Sequence, residues 1–217
     1  MIRTVLLSTA AVALTATAAL ASPTNSISSN GAAMTSGSRV QGTASHHVYS
    51  PPTATVIFDS IGTGYYCCEG YTVSAASSVI GTQYWPANQI TPTSNGKVTS
   101  LKVGVGYVEG DNGAELAIYK DAAGIPGKLL WSGDVSSLPN FGSTSTVTAT
   151  AKVTKVKIKA NKPFWVAIQT DANSAQTWDA WNLSNTTTAP VAENSGSGWV
   201  NDGSGTAGGM TVYGKLR

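Results

Sequence analysis

From Thr55 onward, apolar and polar positions alternate with a period of two in a series of short runs. Between Val98 and Val108, Leu101, Val103, Val105 and Tyr107 fall on one side, and Lys102, Gly104 and Gly106 on the other. That pattern predicts a half-buried strand. Glu115 to Lys120 repeats it with Leu116 and Ile118 inward. Val153 to Ala160 puts Val156 and Ile158 inward and Lys155, Lys157 and Lys159 outward. In Phe164 to Gln169, Phe164, Val166 and Ile168 share a face, which turns Trp165 to the opposite one. Met210 to Tyr213 forms a last short strand. Turn signals separate the runs: Gly110-Asp111-Asn112-Gly113, Ala123-Gly124-Ile125-Pro126-Gly127, Ala160-Asn161-Lys162-Pro163, and a glycine cluster near Gly203. At 123–127, Pro126 presets φ and Gly127 supplies the positive φ of a type II turn, with Asp121 and Gly124 at the start of the hairpin. No window keeps a 3.6-residue period for three turns. Many short strands with glycine-rich turns predict an all-β fold over residues 55–217, an antiparallel β-sandwich or jelly roll.

The chain before Thr55 is of another kind. Arg3 precedes an apolar, Ala- and Thr-rich run from Val5 to Leu20, and Ala19-Leu20-Ala21 forms an A-x-A cleavage pattern before Ser22. Residues 1–21 read as a signal peptide, since the run is too short and too weakly apolar for a membrane span. The mature protein is expected to be secreted or held in the periplasm or at the cell surface, with no membrane span and no C-terminal anchor. Residues 22–54 are Ser, Thr, Asn, Gly and Ala with few large apolar side chains. Such a stretch cannot offset its own ordering entropy, and it reads as a disordered linker.

Composition narrows the chemistry. Charged residues make up 11 % of the chain and the formal net charge is +2. A nucleic-acid binder working by bulk electrostatics is excluded, because each phosphate contact needs its own cation. Both histidines, His46 and His47, lie in the linker. A histidine-dependent triad and a histidine-ligated metal are therefore not expected in the folded domain, and no cofactor is implied. The two cysteines are neighbours, Cys67 and Cys68, in the aromatic setting Tyr65-Tyr66-Cys67-Cys68-Glu69-Gly70-Tyr71. In an oxidising compartment three states stand open: a vicinal disulfide, intermolecular bridges, or two free thiols.

Four groups of residues offer binding or catalytic chemistry. Trp178-Asp179-Ala180-Trp181-Asn182 crowds aromatic and polar groups together, with Trp178 and Trp181 as stacking platform and Asp179 and Asn182 as polar contacts for a sugar. A core role competes, since indoles bury large area. Asp111-Asn112, Asp121 and Asp171-Ala172-Asn173 carry hard oxygen ligands for calcium, though without EF-hand spacing, and turn conformation accounts for them equally well. Asp179, Glu193 and Asp202 are the carboxylates from which a glycosidase pair would be drawn. Lys152, Lys155, Lys157, Lys159 and Lys162 form a basic ridge, read either as protection of an edge strand or as contact with an anionic surface polymer. Asn182-Leu183-Ser184 and Asn185-Thr186-Thr187 match the N-glycosylation pattern.

Glu115-Leu116-Ala117-Ile118-Tyr119-Lys120-Asp121-Ala122-Ala123-Gly124-Ile125-Pro126-Gly127-Lys128-Leu129-Leu130 resembles the "LY-D-x-x-G-x-PG-x-x-L" segment of secreted bacterial choice-of-anchor domains. Phe164-Trp165-Val166-Ala167-Ile168 is similar to their aromatic strand, and Met210-Thr211-Val212-Tyr213-Gly214 to their closing strand. The resemblance spans roughly residues 80–215. It implies an extracellular β-sandwich and brings no catalytic residues. The sequence as a whole points to an exported, non-enzymatic module for adhesion, matrix building or binding, whose partner is a surface polysaccharide or another extracellular protein. The rival readings are a carbohydrate-binding module built on Trp178 and Trp181, and more distantly a glycoside hydrolase.

Overall fold

The alternating runs become strands of two antiparallel sheets. A computed structural model describes residues 54–62, 65–142, 149–153 and 156–217, together with two short strands near the N-terminus. In chain order the strands are β1 (Ser26–Ser28), β2 (Ala33–Met34), β3 (Thr55–Asp59), β4 (Tyr65–Ser74), β5 (Trp85–Ile90), β6 (Gly96–Val103), β7 (Val105–Glu109) and β8 (Gly113–Asp121). They continue as β9 (Pro126–Ser136), β10 (Ala149–Lys152), β11 (Lys157–Ile158), β12 (Phe164–Gln169), β13 (Trp178–Asn194), β14 (Trp199–Gly208) and β15 (Met210–Leu216). Among the described residues the one helical element is a 3₁₀ turn, Ala172–Ser174, capped by Asp171. No helix among them is long and apolar enough to cross a membrane.

The larger sheet is organised around β13, which is 17 residues long. Its first half lies between β4 and β7, its second half between β14 and β5, and the sheet runs on from β5 through β12 and β8 to β9. The smaller sheet runs β10-β6-β15-β3, with β11 continuing the β10 side of β6. The main core fills the space between the sheets. Leu101, Val103, Met210 and Val212 come from the smaller one, and Leu116, Ile118, Phe164, Val166, Ile168 and Trp181 from the larger. This is a sandwich, as the period-two pattern requires.

Two strands change sheets at glycines. The alternating run at 98–108 breaks at Gly104, so that β6 belongs to the smaller sheet and β7 to the larger. The return from β14 to β15 breaks at Gly209 in the same way. The two breaks are tied together. Gly104 N–H donates to the Gly209 carbonyl (2.7 Å), Gly209 N–H to the Asn182 carbonyl (2.6 Å), and Asn182 N–H to the Gly104 carbonyl (2.8 Å). The Trp181 indole closes the corner, donating from Nε1 to the Gly209 carbonyl at 3.1 Å.

The larger sheet also curls on its outer side. Ala192, Ala87, Ala167 and Ala117 face one another across four adjacent strands, and none is exposed. Trp165 and Tyr119 pack beside them, and Trp199 packs against that cluster. The Trp199 and Tyr119 rings meet edge to face with centroids 5.4 Å apart. Their strands are four steps apart, roughly 19 Å in a flat sheet at about 4.8 Å per step. The sheet must therefore roll over this face, and methyl side chains leave the room for it. The turned-out Trp165 expected from the sequence is what fills the roll.

The structure corrects two local expectations. At 123–127 the turn comes earlier than Pro126-Gly127. Ala123 (φ 56°) and Gly124 (φ 89°) both have positive φ, and Ala122 and Ile125 exchange backbone hydrogen bonds at 2.9 and 3.4 Å. This is a two-residue type I′ hairpin, whose twist matches the strands it joins, and Pro126 and Gly127 already belong to β9. Within the presumed linker, β1 pairs with β4 and β2 with β1. A backbone ladder needs no large side chains, so a Ser/Ala-rich sequence can extend a sheet it could not nucleate. Residues 1–21, read above as a signal peptide, the rest of the expected linker with His46 and His47, and Lys155 lie outside the described residues.

Candidate functional site

The basic ridge folds as its alternation predicts. Val153, Val156 and Ile158 are buried, while Lys152, Lys157 and Lys159 are exposed. Lys152 on β10 and Lys157 on β11 lie along the outer edge of the smaller sheet, where β10 and β11 pair with β6 in succession. Beyond β11, Lys162 N–H donates to the Lys159 carbonyl (3.1 Å) around Asn161, which takes a positive φ of 58°. Asn95 holds this turn and the C-terminal strand together. Its Oδ1 accepts from Ala160 N–H at 3.0 Å, and its carbonyl accepts from Arg217 N–H at 2.9 Å.

The folded ridge separates two surface clefts. One, of about 410 Å³, is lined by Lys120, Asp121, Leu130, Lys157, Ile158, Lys159, Lys162, Pro163 and Phe164. The other, of about 510 Å³, is lined by Asn95, Gly96, Lys97, Lys157, Ile158, Lys159 and Arg217. Lys157, Ile158 and Lys159 belong to both. Six of the chain's 13 Lys and Arg residues therefore gather here, against one acid, Asp121. Asp121 is already engaged, its Oδ1 accepting from Gln89 Nε2 and from Trp165 Nε1, each at 2.8 Å. The surroundings are partly apolar, for Leu130 is 42 % exposed. A nearly neutral chain thus carries one strongly cationic surface. Lys97, Lys120 and Arg217 come to the ridge from β6, β8 and the C-terminus, and no local sequence signal announces them.

The tryptophan-rich segment has a different place. Trp178, Asp179 and Trp181 are 7 %, 0 % and 0 % exposed. Residues three apart on a strand face opposite sides. Trp178 accordingly packs with Ala180, Ile80, Val108 and Phe141, whereas Trp181 enters the main core. The two indoles form no common platform, and a Cβ at Gly208 would overlap the Trp181 ring. Asn182 is half-buried at the glycine corner. The predicted sugar-stacking site at Trp178, Asp179, Trp181 and Asn182 is therefore interior structure.

The carboxylates divide. Asp179 sits beside the bulge that Val108 makes in β7. Burial pushes its carboxyl up to about 8, with the Val108 backbone opposing the shift. Glu193, at the opposite end of β13, is 6 % exposed. Burial raises it to about 7 and the nearby Asp202 charge adds to the effect. Asp202 is exposed on β14, and partial burial of its carboxyl raises it as well. The fold thus brings Glu193 and Asp202 together and leaves Asp179 apart.

The turn acids weighed above as oxygen ligands bond to the backbone. Asp171 Oδ1 accepts from Asn173 and Ser174 N–H (2.9 and 3.1 Å), and Asp111 Oδ2 from Gln176 N–H (2.8 Å). No group of three metal-ligating His, Cys, Asp or Glu side chains occurs among the described residues. Cys68 is half-buried and disulfide-bonded, and the chain's other cysteine is Cys67. No family model matches the sequence, and no curated protein matches it.

Proposed function

We propose that the protein is an exported, non-catalytic β-sandwich module that holds an anionic partner outside the cytoplasm through its cationic double cleft. The observation that carries this is the gathering of Lys97, Lys120, Lys157, Lys159, Lys162 and Arg217 around two adjoining clefts in a chain of net charge +2. Edge protection needs a lysine on β10 and one on β11; it does not need cations delivered from β6, β8 and the C-terminus. The secretory leader and the resemblance to choice-of-anchor domains support an extracellular or cell-surface setting. Asp179 stands apart in the interior, and of the two acids that do meet only Asp202 is exposed while Glu193 is buried, which favours a structural role over a glycosidase pair.

The test is retention of the mature protein on carboxylated or sulfated matrices against neutral dextran, over a range of salt. Retention on the anionic matrices that falls as salt rises is expected, since exposed charges are screened. The double variant Lys157→Glu/Lys159→Glu should lose at least tenfold in affinity with an unchanged melting temperature, because both side chains are exposed. Equal retention of wild type and variant overturns the reading.

A further inference from the structure

The two clefts meet along the Lys157–Ile158–Lys159 ridge, and this bears on the shape of what they bind. Each cleft is within the volume range of small-molecule sites, roughly 300–1,000 Å³. A compact anion seated in one of them leaves the cations of the other uncompensated. Lys157 and Lys159 are two residues apart, about 6.6 Å along an extended chain, and they line both clefts. A ligand that satisfies the whole surface is therefore long, crosses the ridge, and carries negative charge at intervals.

The lining chemistry selects among such chains. Five of the six cations are lysines, which act as point charges, whereas bidentate phosphate recognition favours arginine. Non-specific single-strand nucleic-acid grooves use exposed aromatic rings for stacking. The one aromatic side chain in these linings, Phe164, is 4 % exposed. The exposed apolar part of the lining is aliphatic, from Leu130 and the half-buried Pro163, and suits the C–H faces of sugar rings. A peptide adding to the smaller sheet at the ridge itself would find only the two residues of β11 to pair with.

Resting on the anionic-partner reading above, we infer that the ligand is a linear acidic polysaccharide that lies across the ridge and occupies both clefts at once. The experiment uses the mature protein and galacturonate oligomers of increasing length, with polygalacturonate as the long limit, followed by calorimetry at fixed salt. Affinity should climb steeply with length and level off once the chain reaches both clefts. Lys97→Glu/Arg217→Glu, which alters one cleft alone, should lower polygalacturonate affinity at least tenfold and remove most of the gain in affinity with oligomer length. A single-stranded oligodeoxynucleotide of equal charge should bind at least tenfold more weakly.

Three results overturn the inference: affinity independent of length, an unchanged polygalacturonate affinity in Lys97→Glu/Arg217→Glu, or an oligonucleotide that binds as well as the uronate. In any of these cases a Lys157→Glu/Lys159→Glu defect on anionic matrices still upholds the anionic-partner reading. If that defect is missing too, both fall.

Discussion

Buried beside the β7 bulge, the Asp179 carboxyl keeps its proton at neutral pH, because the interior offers an anion little solvation. In the unfolded chain the same group ionises near 3.8. Its contribution to stability is complete below that value and is lost as the pH rises through about 8. Over that window one proton separates the two states, a slope of about 1.4 kcal/mol per pH unit. Glu193 acts in the same direction between 4.5 and about 7. Urea unfolding from pH 4 to 9 should show stability falling towards alkaline pH. Asp179→Asn should flatten the fall and leave the variant the more stable protein at pH 9; an unaltered slope would mean that Asp179 ionises freely in the fold. Strain at Ala123 is a separate matter. A left-handed φ costs an alanine roughly 1 kcal/mol, and Asn is preferred at that place in a type I′ turn. Ala123→Asn should raise stability by about 0.5–1 kcal/mol in the same assay. Asp179 and Trp181 also mark where residue-level reading fails. Trp-Asp-Ala-Trp-Asn has the composition of a sugar site, and composition does not say that both faces of its strand are covered.

Elements whose two faces differ could be read from the sequence. Lys157 and Ile158 of β11 divide as alternation requires; the β12 run, Phe164–Gln169, is buried on both faces and matches its predicted span because it is almost wholly apolar. Strand β13 was invisible because its first half is buried on both sides yet mixes Asp179 and Asn182 with its tryptophans, so it shows neither a period of two nor an apolar run. Strand β14 was hidden by its glycines, which resemble a loop although Gly203, Gly205 and Gly208 pair with β13. The break at Gly104 escaped for another reason: the alternation keeps its phase through the corner, so one pattern serves two sheets. The corner itself is open to a direct test. Gly208→Ala places a methyl group in the Trp181 ring, and overpacking of this kind costs about 1–3 kcal/mol. The variant should unfold at correspondingly lower urea. Wild-type stability in that variant would show that the indole has room to move.

At the scale of the molecule, the surface rather than the core resisted prediction. The lysine ridge lies in one stretch of sequence and was legible. Lys97, Lys120 and Arg217 join it through the topology, which sequence spacing does not encode. Alkylation bears on the cysteines in the same way. Cys68 is bonded, and a bond to Cys67 makes the unreduced monomer two hydrogens lighter than the reduced one and unlabelled by iodoacetamide. A disulfide-linked dimer, dissociated by reductant, would instead assign the bond to two chains.

The shared strand β13 has a consequence for how the protein comes apart. Its first half completes one portion of the larger sheet and its second half another, while the glycine corner fastens both to the smaller sheet. Neither portion can melt and leave its neighbour a finished edge. Calorimetry should accordingly record a single endotherm whose van't Hoff and calorimetric enthalpies agree, so that a protease meets two sheets with no half-open state to cut.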